Sequence, residues 1–193
     1  MDFRSGRRAV LVGLATLPLL ATAAPGQIIP PTPSCRGRGE PTIEETEGPY
    51  FKLRSPERKS LIEPGVDGDR LILSGFVLTR TCQPVVGAMV DIWQADNYGQ
   101  YDNSGFRLRG HQFTDSEGRY EFETIVPEAY AGRTRHIHAR IRAAEGGPVL
   151  TTQIYFPDES GNRRDSLFKP ALLMTLQQGI PKRGRFDFIL TRS

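Results

Sequence analysis

The feature that most constrains the fold is residues 134–142, where side-chain character alternates with a period of two. His136 and His138 fall on one side of this alternation, while Ile137 and Ile141 fall on the other. Alternation of this kind is the pattern of a β-strand, whose residues i and i+2 project from the same face. The stretch therefore predicts a strand that points its isoleucines into a core and both imidazoles the opposite way.

Two imidazoles on one face of a strand are a candidate metal site. Their Cβ atoms would lie about 6–7 Å apart, a distance that lets two ring nitrogens converge on one ion. Imidazole suits zinc, copper, iron or nickel. The same pattern also fits two polar histidines on the surface of a sheet, so the rest of the chain must decide between the two interpretations.

The chain from residue 71 onward is a series of short β-type segments separated by turn residues. Strands are predicted over residues 71–78, 85–94, 119–125, 150–156 and 185–190, in addition to the histidine strand, which Tyr130 opens. Short strands at this spacing are typical of an all-β sandwich of mostly antiparallel strands with long loops. Pro170 at the start of residues 170–178 favours a helix there, so we expect at most one or two short helices.

The N-terminus has the organisation of an export signal. Arginines precede an apolar run at residues 9–20, and the small-x-small pattern Ala21-Thr22-Ala23 follows it. The run is too short to span a membrane. The pair Arg7-Arg8 also permits the twin-arginine route. We expect a signal peptide at residues 1–23, export to the periplasm or the exterior, and no membrane span.

Composition bounds the remaining chain. Residues 24–41, rich in proline, glycine and arginine, are expected to be a flexible arm before a single domain at residues 42–193. The chain has 25 Lys+Arg against 22 Asp+Glu, and the signal segment accounts for most of the excess, so no nucleic-acid partner is expected. Cys35 and Cys82 could form a disulfide in an exported protein, although spacing alone leaves this open.

Several motifs occur in an order that resembles the intradiol ring-cleavage dioxygenases, which include catechol 1,2-dioxygenases and protocatechuate 3,4-dioxygenases. The motifs, in chain order, are TEGPYF, VDIWQADNYGQY, TDSEGRYEFETIVPEAY, RTRHIHARI, TTQIYF and RFDFIL. The resemblance extends over residues 42–190, nearly all of the chain after the arm.

The resemblance implies a mononuclear non-haem Fe(III) held by Tyr101, Tyr130, His136 and His138. The donor set is chemically reasonable, because two imidazoles and two phenolates form a hard, anionic set that suits a trivalent iron. Two histidines and one carboxylate would instead suit Fe(II). Because free tyrosine has a pKa of about 10, phenolate ligation also requires a strongly Lewis-acidic cation.

The resemblance also implies the reaction and further site residues. A small catecholic substrate and O2 would react so that the ring is cut between its two oxygen-bearing carbons, which gives a muconate-type diacid. Tyr130 would act as both ligand and base, while Tyr101 stays bound. Arg133 would stabilise negative charge on the substrate, and Gln153 would lie near the substrate.

Two features depart from the family pattern. The chain lacks the helical N-terminal segment of catechol 1,2-dioxygenases, and the stretch between Tyr101 and Thr114 is short. The site is therefore expected to be open, or else completed by another subunit in an oligomer. His111 is expected in a surface loop, and Asp91 and Asp96 are more typical of strand ends and turns than of metal ligands.

A different class of function remains open at this point. The pattern up to Phe122 also fits transthyretin-like and carboxypeptidase-associated β-sandwich modules, which bind without catalysis. Trp93, Tyr98 and Tyr120 would be packing aromatics in either case. Iron content separates the two hypotheses, and a zinc or copper site on the same histidines would give a colourless or a blue-green protein.

Overall fold

Two β-sheets packed face to face form the body of the protein in the computed structural model, which describes residue 1 and residues 39–143 and 147–191. Nine strands build these sheets in the described ranges. They are β1 (Arg70–Thr79), β2 (Met89–Trp93), β3 (Arg109–Phe113), β4 (Arg119–Ile125), β5 (His136–Arg142), β6 (Val149–Tyr155), β7 (Thr175–Gln177), β8 (Lys182–Arg185) and β9 (Phe188–Leu190).

One sheet has the order β3-β2-β5-β6 and is antiparallel throughout. The other has the order β4-β1-β8-β7, and β9 also pairs with β1. Strands β8 and β9 run parallel to β1, whereas β4 runs antiparallel to it. The predicted all-β sandwich of mostly antiparallel strands is therefore confirmed.

The core lies between the sheets and follows the period of two. Leu71 and Leu73 of β1 and Ile137 and Ile141 of β5 are all 0% exposed. Alternate side chains of a strand share a face, so each strand contributes one apolar row to the core. Full burial of such a side chain contributes about 1.5–3 kcal/mol relative to leaving it exposed.

Strands β2 and β3 differ from the prediction. The strand predicted over residues 85–94 begins only at Met89, because residues 86–87 form a turn in which Gly87 has a φ of 69°. Strand β3 was not predicted, since its sequence RGHQF has no apolar alternation. Its backbone pairs with β2 regardless of side-chain character.

The predicted helix at residues 170–178 is wrong. A 3₁₀ turn covers Pro170–Leu172, and the chain then extends into β7. Leu172 and Met174 are both buried, and the Met174 amide donates a hydrogen bond to the Tyr155 carbonyl at 3.0 Å. Burial of alternate residues against the sandwich therefore prevails over the helix signal of the proline.

The strand predicted over residues 185–190 is divided into β8 and β9 at Phe186 and Asp187. The Asp187 carboxylate accepts a hydrogen bond from the Phe76 amide at 3.0 Å, in place of a backbone carbonyl. The Phe186 carbonyl lies so close to Gly75 that a Cβ there would fall 1.7 Å from its oxygen. Only glycine permits this approach.

The N-terminal predictions lie almost entirely outside the described residues, since residues 2–38 are not among them. The last part of the arm is described, and the Gly39 amide donates a hydrogen bond to the Arg80 carbonyl at 3.0 Å. Cys82 is disulfide-bonded, while Cys35 falls outside the described residues. No helix in the part of the chain that the structure describes is long and apolar enough to cross a membrane.

Candidate metal centre

The two histidines of β5 project from the same face of the strand, as predicted. Their Nε2 atoms lie 3.1 Å apart. His136 is 2% exposed and His138 is 1% exposed. This face is turned away from the isoleucines that enter the core, so β5 separates the candidate centre from the packing between the sheets.

Each imidazole is held by a different contact. His136 Nδ1 lies 2.6 Å from the Thr134 carbonyl oxygen, which can only accept, so Nδ1 donates and Nε2 keeps its lone pair. The His138 ring stacks on Trp93 with centroids 4.9 Å apart and planes within 7°. Burial lowers the pKa of His136 to about 4 and that of His138 well below its ordinary value. Both rings are therefore neutral near pH 7, the form that binds a metal.

Tyr101 and Tyr130 complete a closed arrangement of four rings. The ring centroids are 5.1 Å apart for Tyr101 and Tyr130, 5.6 Å for Tyr130 and His136, 6.1 Å for Tyr101 and His138, and 4.7 Å for the two histidines. We call these four residues the quartet. The structure therefore brings together all four residues that the sequence predicted as ligands, from three separate segments of the chain.

The Tyr101 hydroxyl is buried and has no hydrogen-bond partner among the described residues. Burial, followed by the proximity of Tyr130, raises the pKa of this phenol well above its ordinary value. Buried polar atoms are nearly always paired in folded proteins. An unpaired buried phenol whose ring contacts an imidazole is thus the kind of donor that a cation would satisfy.

A tight turn places Arg133 beside Tyr130. The Arg133 amide donates a hydrogen bond to the Tyr130 carbonyl at 2.7 Å, and the two intervening residues, Ala131 and Gly132, have φ values of 46° and 79°. Positive φ at both central positions defines a type I′ turn. Tyr130 therefore lies in this turn before β5, whereas the sequence predicted that the histidine strand begins at Tyr130.

The Arg133 guanidinium is anchored on two sides. Its Nε donates to both carboxylate oxygens of Asp165, at 3.0 and 2.8 Å. Its Nη2 donates to Gln153 Oε1 at 2.6 Å and to the Tyr155 hydroxyl at 3.1 Å. Gln153 thus lies beside Arg133, whereas the resemblance implied only that it lies near the substrate. Asp165 and Tyr155 were not predicted as site residues: no pattern within residues 156–168 indicated Asp165, and Tyr155 was interpreted only as part of the TTQIYF motif.

Residues 46–51, which we call the strap, cover the quartet. Tyr50 stacks on Tyr101 with centroids 4.4 Å apart, and Phe51 packs against Trp93 at 4.9 Å. Gly48 has a φ of 67°, and a Cβ added there would lie 3.4 Å from Cε1 of His138. The glycine therefore lets the strap approach an imidazole closely. From sequence, this segment could be interpreted only as a loop with aromatic anchors.

A buried arginine holds the loop that carries Tyr101. Arg109 is 1% exposed and donates to the carbonyl oxygens of Asp102 and Tyr50, at 2.9 Å and 2.5 Å for its closest nitrogens. Its guanidinium carbon lies 5.9 Å from the Tyr101 ring centroid. Arg109 was missed by sequence analysis because strand β3, on which it lies, was also missed.

His111 is not in a surface loop, which corrects the prediction. It lies on β3, is partly buried, and its Nδ1 is 3.1 Å from Ser55 Oγ. Ser55 Oγ also donates to Asp91 at 2.8 Å, and burial raises the pKa of this carboxyl to about 6. Asp96 accepts hydrogen bonds from two backbone amides of its own turn. None of these residues belongs to the quartet.

The remaining aromatic residues divide by position. Tyr120 is a core residue, 2% exposed, whose hydroxyl donates to the Phe186 carbonyl at 2.7 Å. Tyr98 is 68% exposed, and Trp93 lies beneath His138. Across the described ranges, no three residues among His, Cys, Asp and Glu cluster as a metal site. A site here therefore depends on its tyrosines.

The chain is similar to several known dioxygenases. A family model described as Dioxygenase matches residues 46–178. The β chain of protocatechuate 3,4-dioxygenase from Burkholderia cepacia is 33% identical over 142 residues, which cover 65% of this chain and 56% of that protein. The chain thus spans little more than half the length of this curated relative.

Two solved structures are similar over most of the chain. The dioxygenase domain of a dioxygenase–carbohydrate-binding protein fusion from Streptomyces sp. SirexAA-E is 50% identical, covers 80% of this chain and 100% of its own, and has a TM-score of 0.77. An intradiol ring-cleavage dioxygenase from Tetranychus urticae is 27% identical, covers 80% and 97%, and has a TM-score of 0.72. The chain belongs to the intradiol ring-cleavage dioxygenase family.

Proposed function

We propose that the protein is a non-haem Fe(III) dioxygenase that cleaves a catecholic ring between its two hydroxylated carbons and incorporates both atoms of O2. The observation that carries the proposal is the quartet, in which two phenol rings and two neutral imidazoles face one another. A binding module with the same sandwich would have no reason to bring four such donors against each other.

The residues present fit a ferric ion. The two histidine Nε2 atoms lie 3.1 Å apart, and the buried Tyr101 hydroxyl has no partner among the described side chains. Two imidazoles and two phenolates make the hard, anionic set that a trivalent cation favours. Tyr101, Tyr130, His136 and His138 would hold the iron. When bound, the iron would take both catechol oxygens and make the ring reactive toward O2, so that the product is a muconate-type diacid.

Tyr130 and Tyr101 would have different roles, because their surroundings differ. Tyr101 is only 9% exposed and is stacked under Tyr50, so it is fixed in place. Tyr130 is the first residue of the turn that ends at Arg133 and is partly exposed, so its side chain is freer to move. Tyr130 would accept a proton from a catechol hydroxyl as a general base, while Tyr101 would remain a ligand throughout.

Arg133 would stabilise negative charge on the substrate. Its side chain is 18% exposed and it adjoins Tyr130 through the turn, so it can reach a catecholate at the quartet. A positioned donor of this kind typically accounts for about 10²–10³ in turnover. Gln153, which is 0% exposed, binds Arg133 and the strap together and would act by holding both in place.

The first test is the colour and iron content of the purified protein. Phenolate-to-iron charge transfer should colour it red to burgundy, and resonance Raman spectra should contain tyrosinate modes. Tyr101→Phe should shift the absorption band. A colourless protein that takes up no iron after reconstitution would contradict the proposal and favour the binding module. A colourless zinc protein or a blue-green copper protein would instead identify a different metal.

The second test is the reaction itself. Incubation with catechol, protocatechuate and hydroxyquinol under ¹⁸O₂ should place one labelled atom in each new carboxyl group of a diacid. A yellow semialdehyde would indicate cleavage beside, rather than between, the oxygen-bearing carbons and would overturn the proposed regiochemistry. Absence of product from every catechol, with an iron-loaded protein, would overturn the enzymatic proposal.

Export is a separate proposal that the N-terminal sequence alone supports. Cleavage after Ala23 would leave a mature chain that begins at Ala24. Mass spectrometry of the native protein should find this N-terminus in the exported fraction. A chain that retains Met1 in the cytosolic fraction would contradict export.

A further inference from the structure

We propose that Asp165 is a positioning residue, which fixes the Arg133 guanidinium so that its unoccupied Nη1 edge faces a substrate bound at the quartet. The inference rests on the proposed function and assigns a role to a residue that contacts neither substrate nor metal. It is carried by the hydrogen bonds of a buried carboxylate and of the partly buried guanidinium that this carboxylate holds.

Two backbone amides hold the Asp165 carboxylate in place. It accepts hydrogen bonds from the Thr134 amide at 2.9 Å and from the Leu167 amide at 3.0 Å. Its side chain is 0% exposed. The Thr134 amide lies two residues before the histidine strand, and the Leu167 amide belongs to the loop of Asp165 itself. The carboxylate therefore ties that loop to the start of β5.

The guanidinium is then fixed by the carboxylate along one edge and by β6 along another. Arg133 Nε donates to Asp165, and Nη2 donates to Gln153 and Tyr155. A guanidinium has five N–H donors, and these contacts use those of Nε and Nη2. The two donors of Nη1 have no partner among the residues described, so they are the ones left for a ligand.

The anchored guanidinium lies next to the quartet. The two acceptors of its Nη2, Gln153 and Tyr155, are the β6 residues that pair with His138 and His136 of β5. The Arg133 amide also donates a hydrogen bond to the Tyr130 carbonyl at 2.7 Å. The side chain is therefore held beside three residues of the quartet, where a catecholate would bind.

An anchor matters because arginine is a long, flexible side chain. An unanchored guanidinium must be immobilised when the substrate binds, which weakens binding and misaligns the donors in the transition state. If the anchor is lost, Arg133 is still present but samples other rotamers. We therefore expect a smaller loss than the ~10²–10³ that follows removal of the donor itself.

The chain offers a matched control. Asp187 and Arg185 form a second pair of a buried carboxylate and a guanidinium, with side chains 1% and 17% exposed, against 0% and 18% for Asp165 and Arg133. Asp187 also accepts a backbone hydrogen bond, from the Phe76 amide at 3.0 Å. This pair lies on the other sheet, so Asp187→Asn reproduces the structural disturbance without touching the quartet.

The test is a double-mutant cycle on the iron-loaded full chain. Asp165→Asn should lower kcat about 10- to 100-fold and weaken anaerobic binding of 4-nitrocatechol about tenfold, with iron content unchanged. Asp165→Glu should restore part of both. In an Arg133→Ala background, Asp165→Asn should change kcat less than about threefold, since the group through which Asp165 acts is absent. Asp187→Asn should leave kcat and binding unchanged.

The outcomes separate this proposal from the function on which it rests. If the parent protein neither binds nor cleaves any catechol, the proposed function fails and the role of Asp165 fails with it. If the parent is active but the two substitutions reduce kcat multiplicatively, Asp165 has an independent, structural role and only this proposal is overturned. Should Asp165→Asn fail to fold, the same cycle with Asp165→Glu decides the question.

Discussion

At its histidines, β5 is buried on both faces, but the two faces are covered by different kinds of structure. On the inner face, Ile137, Ala139 and Ile141 are 0% exposed and pack into the apolar core between the sheets. On the outer face, His136 and His138 are 2% and 1% exposed. Their cover consists of the strap, the Tyr101 loop and the Tyr130 turn, which are irregular segments of the chain.

The contrast lies in what burial does on each face. Inner-face burial removes apolar surface from water, which stabilises the fold by about 1.5–3 kcal/mol for each large side chain. Outer-face burial desolvates polar atoms, some of which, such as the Tyr101 hydroxyl and His138 Nδ1, have no partner in the described part of the chain. Unpaired buried polar groups cost stability. The inner face therefore stabilises the fold, while the outer face carries polar groups that a ligand would satisfy.

The largest effect should come from His138→Ala on the outer face. Replacing a residue that only hydrogen-bonds to a metal ligand typically reduces metal affinity 10–100-fold. Loss of a predicted ligand itself should reduce iron affinity by more than this, and catechol cleavage should fall with it. Iron content and visible absorption measure the first effect, and oxygen uptake measures the second.

The matched control is His111→Ala, which removes a partly buried histidine from β3 on the same sheet. This variant should keep its iron and its colour. Equal iron loss in both variants would mean that the outer face of β5 has no special role.

The next largest effect should come from Ile137→Ala on the inner face. Truncation of a fully buried isoleucine typically lowers the free energy of unfolding by about 2–5 kcal/mol. The folded protein should keep its visible spectrum, because the side chain points away from the quartet. Chemical denaturation measures the loss. Leu53→Ala, at a position 67% exposed, should change stability by less than about 0.5 kcal/mol.

A third prediction concerns pH and the buried carboxyl of Asp91. Burial raises its pKa to about 6, so between about pH 4 and pH 6 the folded chain holds a proton that the unfolded chain has lost. Stability from this group is present below pH 4 and is lost as pH rises through 6. The loss is on the order of 3 kcal/mol at most.

Asp91→Asn keeps an oxygen that can accept the Ser55 hydrogen bond but removes the titration. The free energy of unfolding, measured by chemical denaturation from pH 4 to pH 7, should therefore fall less steeply in this variant than in the parent. Parallel curves for the two proteins would show that Asp91 does not titrate in this range.

The smallest effect should come from Tyr120→Phe in the other sheet. The hydroxyl donates to the Phe186 carbonyl at 2.7 Å, and its loss should lower the free energy of unfolding by about 1 kcal/mol. Turnover and iron content should not change, because Tyr120 belongs to the core and not to the quartet. Tyr98→Phe, at an exposed position, should change neither stability nor turnover.

The strand pattern could be predicted wherever one face of a strand is apolar. The alternation in residues 134–142 fixed the two faces of β5, and residues 119–125 coincide with β4. The prediction failed where side chains do not alternate, as in β3, and where a local signal opposed tertiary burial, as after Pro170. Backbone hydrogen bonding with neighbours decides such segments, and a sequence does not display those neighbours.

The quartet was predictable as a set, but its cover and supports were not. Motif order identified both tyrosines and both histidines. Asp165 contacts Arg133 across 32 positions of sequence, and Gly48 meets His138 across a still longer separation. Contacts between distant loops depend on how the sheets align, so they leave no local pattern.

The sequence by itself determined the all-β class and the faces of the histidine strand, because period and residue type are local properties, while the four residues of the quartet followed from its family resemblance. The tertiary structure alone decided that residues 185–190 divide into two strands, that the strap covers His138, and that Asp165 anchors Arg133. These outcomes depend on close approach and on pairing of buried polar groups, which arise only when distant segments share one interior.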